Sequence, residues 1–97
     1  MSADAERARA HNETWLPWLA ERLIALRLEA HPSVANFVLV GFTDGVRDAV
    51  AASAWLEQRG VLARAMAAYG LPGCLRLSVG LEDENRAAIR ALQEFMG

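Results

Sequence analysis

The sequence predicts an α+β domain of order α-β-α-β-β-α, with a three-stranded, mostly antiparallel sheet covered on one face by helices. Two observations carry that expectation. Apolar residues recur at three- and four-residue spacing in three segments, and short Val-, Phe- and Leu-rich runs bounded by Gly, Pro and Asn separate them. Ninety-seven residues suffice for one domain, 1–97, and for no more than one.

The first helix spans 3–29, with Trp15, Leu19, Leu23 and Leu26 on one stripe. Pro17 falls inside it, so either the helix is kinked there or Thr14 caps a second piece with Pro17 in its first turn. "HPS" at 31–33 stops the helix, and 34–41, "VANFVLVG", reads as a buried strand. Thr43 or Asp44 is the expected N-cap of a helix running to Arg59, with Val46, Ala49, Val50, Ser53 and Leu56 as its stripe. Gly60 is its left-handed stop. Strands at 61–65 and 74–79 flank the loop 67–73, "AAYGLPG". The last helix starts near Leu81 with Ala88, Ile89, Leu92 and Met96 on one side, and Glu82, Asp83 and Glu84 favour the positive end of its dipole.

Charge and composition narrow the function classes. With a net charge of −2 and no basic run, neither nucleic acid nor a membrane surface is an expected partner. The opening "MSADAERARAHNE" is too polar for a signal peptide, and no apolar run is long enough to span a bilayer. A single cysteine, Cys74, fits a reducing cytoplasm. His11 and His31 lack metal-ligand spacing, so no metal is expected. All ten basic residues are arginine, and without lysine no side chain forms a Schiff base.

Two of those arginines interrupt short apolar strands, Arg64 in "GVLARAM" and Arg76 in "GCLRLSVG". Alternation places Leu75, Leu77 and Val79 on one face of the third strand and Cys74, Arg76 and Ser78 on the other. If the apolar faces pack on the helices, Arg64, Arg76, Asn36 and Ser78 gather on the opposite face. Two guanidinium forks there suit a carboxylate or phosphate. The same positions also suit solvated edge charges or salt-bridge partners.

Residues 59–92, "RGVLARAMAAYGLPGCLRLSVGLEDENRAAIRAL", resemble the C-terminal end of histidinol-phosphate aminotransferases, pyridoxal-phosphate enzymes of the aspartate-aminotransferase fold. The resemblance extends back through "HPSVANFVLVGF" and more loosely through "HNETWLPWLAERL". It implies a small domain that packs over a large pyridoxal-phosphate domain and is inactive without it. It further implies that Arg76 grips a substrate carboxylate, that Arg64 suits a substrate phosphate, and that Asn36 occupies a position the family often fills with asparagine. Leu81 departs from the family's usual capping threonine, and Ala65 and Ala68 replace frequent Pro or Gly. A second reading stays open, a stand-alone anion-binding or protein-interaction module, including a homodimer.

Overall fold

The computed structural model describes residues 3–32, 36–42, 48–71 and 73–97. Three helices, α1 (Ala3–Ala25), α2 (Ala49–Gln58) and α3 (Glu82–Met96), cover one face of an antiparallel sheet. Its strands are β1 (Glu29–Pro32), β2 (Phe37–Gly41), β3 (Ala63–Ala65) and β4 (Cys74–Ser78), in the order β1-β2-β4-β3. The fold class is as expected, but the sheet has four strands rather than three. The extra strand, β1, is "EAHP", which the sequence placed in the helix tail and the turn after it. Its position explains how it tolerates proline: it lies at a sheet edge, where an absent N–H breaks no ladder.

Helix α1 runs continuously through Pro17, which excludes the second alternative. Thr14 does not cap a second helix, because its hydroxyl donates back to the Ala10 carbonyl at 3.0 Å. The helix ends instead at a left-handed Arg27 (φ 66°). The Leu28 amide reaches back to the Leu23 carbonyl at 3.1 Å and the Arg27 amide to that of Ile24 at 2.9 Å. The end of α2 repeats this pattern with Gly60 (φ 75°), the Val61 amide donating to Leu56 and the Gly60 amide to Glu57. Glycine adopts that conformation freely, whereas an arginine bears a steric cost of roughly 1–2 kcal/mol. Arg27→Gly is therefore expected to stabilise the protein by about 0.5–1 kcal/mol after the greater freedom of glycine in the unfolded chain is offset. Urea unfolding at unchanged m-value checks this, and a lower midpoint would refute it.

Asp48 caps α2, its carboxylate accepting from the Ala51 amide; the expected caps Thr43 and Asp44, the stripe residue Val46 and the strand start at 34–35 lie outside the described residues. The buried stripe of α2 is Ala49, Ala52 and Leu56, and Val50 points to solvent. Two alanines at the contact allow the helix close to the sheet. On α3, the predicted Ala88, Ile89 and Leu92 are buried, and Met96 packs against the core they join. Leu81 offers no side-chain acceptor at its start; only the reciprocal bond forms, the Leu81 amide donating to Glu84 Oε1 at 2.7 Å.

The core lies between the helices and the fully buried Val38, Val40, Leu75 and Leu77. Trp55 packs against it with its indole N–H donating to the Ala91 carbonyl at 2.8 Å. No helix among the described residues is long and apolar enough to cross a membrane.

Candidate anion site on the uncovered sheet face

Among the described residues, no helix lies on the other face of the sheet. The residues in phase there are Glu29 and His31 of β1, Phe37 and Leu39 of β2, Arg64 of β3, and Cys74, Arg76 and Ser78 of β4. Arg64 and Arg76 are direct cross-strand partners. With Leu62, Ala63 and Ser78 they line a cleft of about 310 Å³. The expectation that alternation would bring Arg64, Arg76 and Ser78 together therefore agrees with the register.

Their surroundings differ. Arg64 is exposed on the three-residue edge strand, while Arg76 is half-buried in β4, which is hydrogen-bonded on both sides. The Arg76 guanidinium carbon lies 4.3 Å from the centre of the Phe37 ring, so the ring supports one flat face of the cation. A guanidinium in a contact of this kind can still present its donors to a planar anion. No carboxylate among the described residues forms an ion pair with either arginine. By contrast, Arg86 is held by Glu82 at 3.0 Å, and Arg59 lies 3.9 Å from Glu94 and over the Trp55 ring.

The expected place of Asn36 needs correction. Phe37 pairs with Ser78 and Leu39 with Arg76, so these two residues share the arginine face, and Val38 and Val40 fill the helix side. Asn36 precedes the strand, is exposed, and is linked to β4 through its carbonyl, which accepts from the Val79 amide at 2.7 Å. The expectation placed Asn36 on the arginine face, which would have turned Phe37 toward the helices. The unbroken buried pair Val38 and Val40 was the better guide to phase.

Two hydrogen-bonding roles escaped the sequence reading, those of Asn85 and His11. Asn85, in the "EDEN" start of α3, is 2% exposed and bonds both polar groups of Gly80. His11 of α1 hydrogen-bonds the same Gly80 carbonyl at 2.7 Å. A lone asparagine or histidine in a helix carries no pattern that reveals such a partner.

No family model matches the chain. It is 46% identical over 97 residues to a histidinol-phosphate aminotransferase of Paramagnetospirillum magneticum, covering 99% of this chain and 27% of that protein. It is 47% identical over 93 residues to histidinol-phosphate aminotransferase 1 of Caulobacter vibrioides, covering 95% and 26%. Among solved structures, a candidate aminotransferase from Burkholderia pseudomallei superposes with a TM-score of 0.80 at 28% identity, over 97% of this chain and 29% of that one. A decarboxylase from Sulfurospirillum multivorans gives 0.74 at 25% identity, over 87% and 25%. The chain thus spans about a quarter of the length of the curated relatives it matches. Over nearly its whole length, it is a homologue of the C-terminal part of histidinol-phosphate aminotransferases.

Proposed function

We propose that the chain is the substrate-binding C-terminal domain of a cytoplasmic, pyridoxal-phosphate-dependent aminotransferase acting on histidinol phosphate or a related amino acid. The observation that carries this reading is the Arg64–Arg76 cross-strand pair on the uncovered sheet face, with no carboxylate neutralising it among the described residues. In this reading Arg76 receives a substrate carboxylate edge-on while Phe37 supports its face. Arg64, the more exposed cation, meets the substrate phosphate. The contribution is orientation and charge stabilisation rather than bond-making.

Pyridoxal phosphate attaches to enzymes of this kind through a lysine amine, and the chain has no lysine. Its side chains therefore do not fit the cofactor as a covalent ligand, and no step of the reaction runs through the cofactor on these residues. A large cofactor-binding domain is the partner that completes the site, in the arrangement consistent with a match to a quarter of each relative.

The purified 97-residue chain, mixed with pyridoxal phosphate, histidinol phosphate and a keto acid, is expected to show no transamination. In the same sample the Arg64 and Arg76 side-chain NMR signals are expected to shift with histidinol phosphate. Turnover by the chain alone would overturn the first statement, and unmoved arginine signals the second. Shifts produced equally by any phosphate or carboxylate would favour a general anion-binding module.

A further inference from the structure

We infer that Asn85 is a positioning residue for the arginine face, clamping the Gly80 peptide and thereby setting the end of the Arg76 strand and the place of Asn36. The inference rests on the anion-site reading above. Asn85 is the buried polar side chain among the described residues, at 2% exposure. A primary amide out of water is costly unless both its ends are hydrogen-bonded. Here a single peptide satisfies both: the Gly80 amide donates to Oδ1 at 2.7 Å, and Nδ2 donates to the Gly80 carbonyl at 3.0 Å.

The helix does not need this arrangement for its own start. Glu84 already receives the Leu81 amide, and the Asn85 amide already donates to the Leu81 carbonyl. What the Asn85 side chain holds is the chain leaving β4. His11, from α1, grips the same carbonyl at 2.7 Å, so three elements converge on Gly80.

From Gly80 the constraint passes along β4. The next residue back, Val79, donates its amide to the Asn36 carbonyl at 2.7 Å. The one before it, Ser78, is the cross-strand partner of Phe37, whose ring supports the Arg76 guanidinium. The path from the buried amide to Asn36 and to Arg76 is therefore a series of backbone bonds and one ring contact.

The test uses the ¹⁵N-labelled full chain, with Asn85→Ala, Asn85→Asp and, as a control in the core, Leu92→Ala. Asn85→Ala is expected to move the Arg76 Nε–H and Asn36 amide resonances and to weaken inorganic phosphate binding at the arginine pair by about tenfold. Asn85→Asp, which keeps an acceptor for the Gly80 amide, is expected to lose less on both readouts. It also serves if the alanine variant does not fold. Leu92→Ala, destabilised through a cavity alone, is expected to leave both readouts at their wild-type values. Unmoved Arg76 and Asn36 signals in a folded Asn85 variant, or equal movement in Leu92→Ala, would overturn the inference. A wild-type chain that ignores phosphate would remove the anion-site reading instead, and the two resonances would still decide the role of Asn85.

Discussion

On the proposed reading, Arg76→Ala in a complete aminotransferase carrying this domain is expected to raise KM for the amino-acid substrate by about a hundredfold and to leave cofactor affinity unchanged. A charge-assisted hydrogen bond contributes roughly 1.5–3 kcal/mol, equivalent to a factor of about 10–150, and a two-point contact falls at the upper end. Arg76→Lys is expected to recover only part of the loss, because an ammonium has no planar fork and stacks less well on Phe37. Steady-state kinetics with a parallel cofactor titration separates the effects. Equal losses in substrate and cofactor binding would show that Arg76 acts through the fold rather than by touching substrate.

The largest loss of stability is expected from Leu77→Ala, at about 3 kcal/mol. Leu77 is fully buried, sits in β4 opposite Val38 and Ala63, and faces the helix layer, so its removal leaves a cavity that the paired strands cannot close. A domain of this size is stable by only about 5–15 kcal/mol, so the loss is a large share of the total. Urea denaturation followed by circular dichroism reads it directly. A cost below about 1 kcal/mol would mean that the helices do not pack on this strand as described.

These two neighbours illustrate what was legible in the sequence. Leu75, Arg76 and Leu77 alternate without a break, so both the strand and the opposite facing of Arg76 and Leu77 followed from residue type alone. Gly60 marked the end of α2 because its left-handed turn is one that glycine readily adopts. Arg27 makes the same turn without that signal, and the helix boundary was accordingly placed four residues too late. Strand β1 was missed because its pairing with β2 supplies the structure that "EAHP" does not favour locally. Asn36 was misplaced for a related reason: the hydrophobicity of its neighbour Phe37 suggests burial but does not say whether a core or a cation provides the cover. The Asn85 clamp depends on a peptide five residues away, and side-chain hydrogen bonding of that kind leaves no periodic trace.

The cross-strand alignment of Arg64 with Arg76 has an energetic corollary. Like charges directly opposed on a sheet repel, so the Arg64–Arg76 pair raises the native state slightly above the energy the same strands would have with neutral side chains. An anion seated between the two cations removes that repulsion as well as adding its own attraction. On the reading proposed above, binding and folding would be thermodynamically linked: a bound anion would tighten the sheet, and β3, held by only three residues at the edge, would gain most.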